Sequence, residues 1–225
     1  PETMFFGREA EVKTLVEKAG VADYAIIGNR KIGKTSLLKR AWARLAASGQ
    51  IKPLMVDCQT VRDAAGFFAA FQAQTGIKLP SATPEGFTAA LKDLRQDTPL
   101  VLMMDEVDAL LTDEQAHGEP LAAAWRALAQ AGVCRFVFCG STGLARRLDD
   151  PHSVFFNFPQ PMPLGYLGPE TARLVLTQPL ETLGIILEDE EKLLSEAWAL
   201  TSGHPYFIQY LGRGLVDAAN RRKER

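Results

Sequence analysis

One short segment has the residue types and the spacing of a phosphate-binding loop: Gly28, four further residues, then Gly33, Lys34 and Thr35. Its glycines permit a tight turn in which main-chain amides and a helix N-terminus face an anion. We expect Lys34 to reach the β and γ phosphates of a nucleotide, and the Thr35 hydroxyl to ligate Mg²⁺, which prefers hard oxygen ligands. A glycine-rich turn before a helix is the alternative. The expected ATP- or ADP-binding residues of the loop are Gly28, Asn29, Arg30, Lys31, Ile32, Gly33, Lys34, Thr35 and Ser36.

A second group of candidate residues, Asp105 and Glu106, follows the apolar run Leu100–Met104. A carboxylate at the end of a buried strand can hold magnesium through water, as the Walker B acid does, and this is the expected role of Asp105. Glu106 is the candidate that orients or deprotonates the attacking water. Alternatively, it is a helix-start carboxylate favoured by the helix dipole. Together with Lys34, the two carboxylates favour hydrolysis over binding alone.

Polar and basic residues follow the next apolar run, Cys134–Cys139. Ser141 ends that run where AAA+ ATPases place a polar sensor of the γ-phosphate, so it is the fourth catalytic candidate. A simple turn at the end of a strand is the alternative. Arg146 and Arg147 come next, and we interpret them as a solvated face in preference to an arginine finger.

The elements that must position these residues alternate between strands and helices. Such alternation predicts an α/β fold, a doubly wound parallel sheet of five strands of the P-loop NTPase type. A full strand and helix separate the loop from Asp105, so the strand before Asp105 is not expected beside the loop strand. Kinase-like and GTPase interpretations are therefore disfavoured. The predicted strands are Tyr24–Ile27, Pro53–Cys58, Leu100–Met104, Cys134–Cys139 and a weaker Gln160–Leu164.

The C-terminal part contains helical segments without intervening strands, near Pro169–Leu183, Asp189–Leu200 and His204–Ala219. They predict a helical lid subdomain over residues 167–225, after an α/β core over residues 1–166. The chain begins without methionine and ends in a basic run, which suggests a piece of a longer protein.

Composition narrows the class of partner. Lys and Arg (25) nearly balance Asp and Glu (27), and the net charge of −2 provides no basic footprint for nucleic acid. No apolar run is long enough to span a membrane, so no membrane partner is expected and a cytoplasmic location is favoured. Cys58, Cys134 and Cys139 form no CxxC pair and are interpreted as buried structural residues.

Three further segments resemble the AAA-like ATPase domains of the STAND class, the signal-transduction ATPases with numerous domains, and of the archaeal ATPase group near them in the AAA+ superfamily. The first is the N-terminal motif Phe5–Glu9, and the second is Pro151–Leu167, which leads into the lid. The third, Thr201–Phe207, is similar to their Gly-x-Pro motif, although Ser202 stands where glycine is commoner.

The resemblance implies that Gly7 and Arg8 lie near the adenine, and that Pro205 packs on the base with His204 alongside. Without it, the segment before Pro205 would be a helix-start turn and His204 a surface or capping histidine. It also implies that a winged helix and a sensor or effector region usually follow such a domain.

Three functions remain open. The favoured one is a slowly hydrolysing, nucleotide-dependent conformational switch in a larger signalling or defence protein, with protein partners or fused domains and with nucleotide-dependent oligomerisation as one arrangement. The alternative is a DNA-handling AAA+ ATPase similar to the origin-recognition initiators, which share the Gly-Arg-Glu motif. A scaffold without turnover is disfavoured because Lys34, Thr35, Asp105 and Glu106 are all present.

Overall fold

The computed structural model describes residues 5–95 and 98–223, without the side chains of residues 222 and 223. The remaining residues, which include both ends of the chain on which the interpretation as a piece of a longer protein rests, lie outside the described part. The described chain divides into two compact units. We call residues 11–30 and 34–164 the α/β unit, and residues 5–10, 31–33 and 165–223 the helical unit.

The sheet of the α/β unit contains the five predicted strands, with bounds within one residue of the predicted ones. All its strands are parallel, and they lie side by side in the order β2-β3-β4-β1-β5. Strand β4 therefore separates β3, which ends at Asp105, from β1, which precedes the loop, so the predicted fold is confirmed. The elements up to residue 163 are α1 (Glu9–Lys18), β1 (Tyr24–Ile27), α2 (Lys34–Ser48), β2 (Lys52–Asp57), α3 (Ala64–Thr75), α4 (Pro84–Leu94), β3 (Leu100–Asp105), α5 (Asp108–Ala116), α6 (Pro120–Gln130), β4 (Cys134–Gly140), α7 (Thr142–Asp149) and β5 (Gln160–Pro163).

An aromatic cluster fills one side of this sheet. The indole of Trp125, on α6, contacts the rings of Phe67 on α3 and Phe138 on β4 at centroid distances of 5.4 and 5.5 Å. All positions of β3 are buried, as expected for a parallel strand covered on both faces. This packing fixes the carboxyl edge of the sheet, where β1, β3 and β4 end.

The helical unit has a much smaller core. Its helices α8 (Pro169–Thr182), α9 (Glu190–Thr201) and α10 (Pro205–Lys223) follow one another without a strand. Proline stands in the first turn of α8 and of α10, where its missing N–H has no helical partner to lose. The buried apolar cluster of this unit consists of Leu167, Ala172, Leu176, Ala197 and Ile208.

The cysteines are buried inside the α/β unit. Burial raises the pKa of the Cys58 thiol to about 12 and that of Cys139 well above its usual value. Thiols in this state pack as small apolar groups. No described helix combines the length and the apolar character that crossing a membrane requires.

Candidate functional site

The predicted phosphate loop connects β1 to α2. Gly28, at the start of the loop, donates its N–H to the carbonyl of Gly140 at the end of β4 (3.2 Å). Within the loop, Gly33 has a φ of 104°, which glycine adopts without steric cost. Lys31 also has a positive φ, 62°, which is uncommon for a residue with a side chain. Glycine at position 33 thus allows the loop backbone to adopt the positive φ that its turn requires.

Lys34 is the first residue of α2, and its side chain is buried with 3% exposed. Its Nζ donates to the carbonyl oxygens of Gly28 (3.0 Å) and Asn29 (3.3 Å). The same ammonium lies 3.8 Å from Oε1 of Glu106. A buried charge needs such partners, and they hold Lys34 between the loop and the end of β3.

Thr35 and Asp105 form the closest polar contact of the site. The Thr35 hydroxyl donates to Oδ2 of Asp105 at 2.6 Å, and Oδ1 of Asp105 accepts the N–H of Glu106. Burial raises the pKa of Asp105, and the nearby Asp57 carboxylate acts in the same direction, whereas the Thr35 hydrogen bond and Lys34 lower it. A buried carboxylate beside a hydroxyl provides two adjacent hard oxygens. That donor set fits Mg²⁺, whose charge would compensate the carboxylate.

Glu106 occupies a strained backbone position directly after β3. Its φ is 54°, in the left-handed region, which costs a residue with a side chain about 1 kcal/mol. Its side chain is 35% exposed and faces the ammonium of Lys34. Helix α5 begins only at Asp108, two residues later. The turn therefore brings Lys34, Thr35, Asp105 and Glu106 together at the carboxyl edge of the sheet.

Ser141 lies at the end of β4 and is the N-cap residue of α7, without a side-chain capping hydrogen bond. Asp108 contacts this segment: its Oδ2 accepts the N–H of Ser141 (2.8 Å) and its Oδ1 accepts that of Leu144 (2.9 Å). Asp108 is not among the candidate residues that the sequence motifs indicated. The signal for it in the sequence is a third carboxylate, three residues after Asp105.

The interpretation of Arg147 as part of a solvated face is wrong. Its side chain is buried, with 6% of the residue exposed, and forms an ion pair with the carboxylate of Glu119. Burial lowers the pKa of this guanidinium. Arg146, one residue earlier, is exposed. Because successive residues of helix α7 point in different directions, Arg147 is buried whereas Arg146 is accessible to solvent.

Gly7 and Arg8 lie in the helical unit, against the segment before α8 and the first turn of that helix. Gly7 has a φ of 73°, and a Cβ there would lie 2.2 Å from Cγ2 of Thr171. Arg8 is buried, and its guanidinium donates to the carbonyl of Gly165. These contacts account for glycine at position 7.

The Gly-x-Pro segment lies in the same unit, between α9 and α10. A Cβ on Gly203 would lie 2.2 Å from the carbonyl oxygen of Leu167, so the close approach requires glycine. Ser202 adopts a φ of 47°, so serine is held in the conformation that suits the commoner glycine. Pro205 begins α10.

An exposed group of aromatic rings surrounds His204, and the sequence motifs gave no sign of it. The imidazole lies between the rings of Tyr166 (5.0 Å between centroids) and Phe207 (4.8 Å). The Lys31 ammonium lies 3.6 Å from the centroid of the Tyr206 ring. Tilted contacts between rings and a cation on an aromatic face stabilise this segment modestly.

Solved structures with the same fold include AAA+ proteins from archaea. The ORC1 protein of Aeropyrum pernix in complex with DNA matches with a TM-score of 0.71 and 19% identity over 98% of this chain and 62% of that one. The ORC2 protein of Aeropyrum pernix (ADPNP-ADP complexes) has a TM-score of 0.63 and 19% identity, over 79% of this chain and 53% of that one. The Walker-type ATPase paby2304 of Pyrococcus abyssi has a TM-score of 0.67 and 17% identity, over 96% and 71%.

These identities show a shared fold, and this chain spans less than two thirds of the ORC1 and ORC2 chains. Among curated proteins, no sequence matches it. A family model described as AAA domain matches residues 24–148, which is more than half of the chain. The matched range contains the loop, Asp105, Glu106 and Ser141. The chain therefore belongs to the AAA domain family, and it is an AAA+ P-loop ATPase domain.

Proposed function

We propose that this domain binds ATP with Mg²⁺, hydrolyses it slowly, and uses the difference between ATP and ADP as a conformational signal to protein partners or fused domains. The observation that carries the proposal is the contact between the Thr35 hydroxyl and Asp105, with Lys34 and Glu106 beside it. A phosphate loop alone supports binding. The added pair of carboxylates supports hydrolysis.

Each of these side chains has a separate proposed role. The Lys34 ammonium, which the carbonyls of Gly28 and Asn29 hold, binds the β and γ phosphates when nucleotide enters. Thr35 and Asp105 would hold magnesium, which when bound neutralises charge on the phosphates. Glu106 orients the attacking water and accepts its proton, since its carboxylate is partly exposed beside the lysine. Ser141 contacts the γ-phosphate.

For the base, we propose contacts from Gly7, Arg8, His204 and Pro205 of the helical unit. The support is the close packing at Gly7 and Gly203 together with the contacts of the His204 ring to Tyr166 and Phe207. A ligand shifts a conformational equilibrium only through different affinities for its two states. ATP and ADP must therefore favour different arrangements of the domain if the nucleotide is the signal.

Matched substitutions test binding and hydrolysis separately. Glu106→Gln is expected to keep ATP affinity and to lower phosphate release at least a hundredfold, because it removes only the acceptor of the water proton. Lys34→Ala is expected to weaken ATP binding at least tenfold. Glu17→Gln, the same chemical change on the surface of α1, is the control for the first variant. If Lys34→Ala bound a fluorescent ATP analogue as tightly as the wild type, the proposed site would be wrong.

Turnover distinguishes a switch from an ordinary enzyme. Co-purified ADP and phosphate release below about one per second, slow beside typical enzymes, would support the switch. Hydrolysis that Glu106→Gln abolishes would exclude a scaffold without turnover. Rapid multiple turnover without retained ADP would contradict the signalling role.

A DNA-handling ATPase is the second candidate function, because the ORC1 protein in complex with DNA has the same fold over nearly the whole of this chain. The net charge of −2 is the observation against it. Fluorescence anisotropy with labelled duplex DNA decides between the two. Binding that weakens steeply between roughly 50 and 200 mM salt would favour the DNA function, whereas no binding at either salt concentration would favour the switch.

A further inference from the structure

Asp108 bridges two segments that follow neighbouring strands. It is the first residue of α5, shortly after Asp105 and Glu106 at the end of β3. Its carboxylate accepts hydrogen bonds from the N–H groups of Ser141 and Leu144, at the start of α7 after β4. The N–H of Val107 also donates to the carbonyl of Cys139 (3.0 Å), which fastens the same two segments together. Asp108 thus connects the turn of the candidate water-activating residue to the turn of the candidate phosphate sensor.

The Asp108 carboxylate replaces the usual cap of α7. A serine at an N-cap position ordinarily accepts the N–H of the second or third helical residue with its own hydroxyl. In α7 the third N–H belongs to Leu144, and Asp108 takes it, so Ser141 makes no side-chain capping bond. A negative charge at the helix N-terminus is also favoured by the helix dipole. The Ser141 hydroxyl consequently does not cap α7, although its N-cap position would favour that role.

Two glycines make room for this carboxylate. A Cβ at Gly143 would lie 2.5 Å from Oδ1 of Asp108, and one at Gly140 would lie 3.0 Å from Oδ2. Any larger residue at position 143 would displace the carboxylate from the amides that it caps. Asp108 therefore depends on the segment Gly140-Ser141-Thr142-Gly143: the glycines leave space for its carboxylate, which accepts the amides at the start of α7.

We propose that Asp108 is a positioning residue that keeps the Ser141 hydroxyl available to the γ-phosphate of ATP. The inference rests on the proposed function, because it assigns Asp108 a role through Ser141. Without the Asp108 carboxylate, the Ser141 side chain turns back to cap Leu144 and ceases to distinguish ATP from ADP. In this proposal Asp108 acts only through Ser141 and does not itself contact the nucleotide.

The first test measures affinity and does not need turnover. The wild type is expected to bind a non-hydrolysable ATP analogue more tightly than ADP, and Asp108→Ala and Ser141→Ala are each expected to lose about tenfold of that preference, the worth of one hydrogen bond to a charged group. ADP affinity should change less than threefold. Gly143→Ala, which displaces the carboxylate without removing it, should reproduce the loss. Equal weakening of both nucleotides by Asp108→Ala, or a wild type without preference, would overturn the inference.

The second test is a double-mutant cycle on turnover. If Asp108 acts through Ser141, the variant with both substitutions should have the same kcat as Ser141→Ala alone, within about threefold, with KM for ATP little changed. If the two substitutions lowered kcat independently, so that their fold-losses multiplied in the double variant, Asp108 would act by another route and the inference would be overturned. Loss of hydrolysis in Glu106→Gln together with wild-type behaviour of Asp108→Ala would reject this inference while leaving the proposed function intact.

A conservative variant and a matched control separate positioning from folding. Asp108→Asn keeps one acceptor oxygen and should recover part of the preference for the ATP analogue. Asp113→Ala removes the same charge from a partly exposed position of α5, where Asp113 pairs with His117, and should leave the preference unchanged. If Asp113→Ala lowered the preference as much as Asp108→Ala, a general charge effect would replace the proposal. Circular dichroism melting checks that each variant is folded.

Discussion

The two units of this chain differ in the apolar core that stabilises each of them. The α/β unit surrounds its sheet with a buried aromatic cluster centred on Trp125. The helical unit has a short row of buried aliphatic residues and leaves rings on its surface, with Tyr210 67% exposed. Because burial of apolar surface is the main stabilising contribution, we expect the helical unit to open at a lower free energy than the sheet. This difference is compatible with the proposed response to nucleotide, in which the less stable unit would be the one that changes conformation.

The largest expected effect comes from replacing a buried tryptophan of the α/β unit by alanine, compared with the same replacement in the helical unit. Trp125→Ala should lower the free energy of unfolding by about 3–5 kcal/mol, because it leaves a cavity among packed rings. Trp198→Ala in α9 should cost about 1 kcal/mol, since that indole is already 37% exposed. Urea unfolding of both variants measures the difference. Equal costs would contradict the contrast between the two cores.

Gly203→Ala should destabilise the helical unit selectively, by about 2 kcal/mol, because it combines a positive φ with a collision against the Leu167 carbonyl. Hydrogen exchange should speed up in α9 and α10 while β1, β3 and β4 keep their protection. Gly214→Ala, in open space on α10, is the matched control. It should stabilise the helix by up to about 1 kcal/mol. Uniform loss of protection in both units would contradict the prediction of a selective effect.

Asp105→Asn should raise the stability of the nucleotide-free α/β unit by about 1 kcal/mol at pH 7 while abolishing hydrolysis. Burial raises the pKa of Asp105. The cost of its buried charge is therefore present above that folded-state pKa and disappears as falling pH protonates the carboxyl. Thermal melting against pH checks the sign: the gain over wild type should shrink as the solution is acidified. A gain that grew under acid would contradict the prediction.

The smallest effect concerns the departure from the usual Gly-x-Pro motif. Ser202→Gly should stabilise the helical unit by about 0.5 kcal/mol, because glycine adopts the observed positive φ without the steric cost that serine has. Differential scanning calorimetry of the variant measures the shift. Ser48→Gly in the last turn of α2 is the control and should be destabilising. A destabilised Ser202→Gly would mean that the serine side chain contributes more than its backbone costs.

Strands β1 to β4 could be predicted almost to the residue because each contains a compact apolar run bounded by polar or turn residues, whereas β5, with the sequence Gln-Pro-Met-Pro, gave a weaker signal. The strand and helix between Gly33 and Asp105 predicted that β3 is not adjacent to β1, and β4 indeed lies between them. The roles of Lys34, Thr35, Asp105, Glu106 and Ser141 stay predictions, although the structure places Thr35 against Asp105 and Lys34 against Glu106. The burial of individual side chains could not be predicted in the same way. Arg146 and Arg147 are neighbours in the sequence, yet the first is exposed and the second is buried.

Spacing within a few residues is enough to identify the phosphate loop, the acidic end of β3 and the alternation of strands and helices. Three other features appear only in the folded chain: the burial of Arg147 against Glu119, the capping of α7 by Asp108 and the rings around His204. They depend on residues that are distant along the chain. Asp108 and Ser141 are 33 positions apart, and no local pattern reports a hydrogen bond that forms only when two strands end side by side.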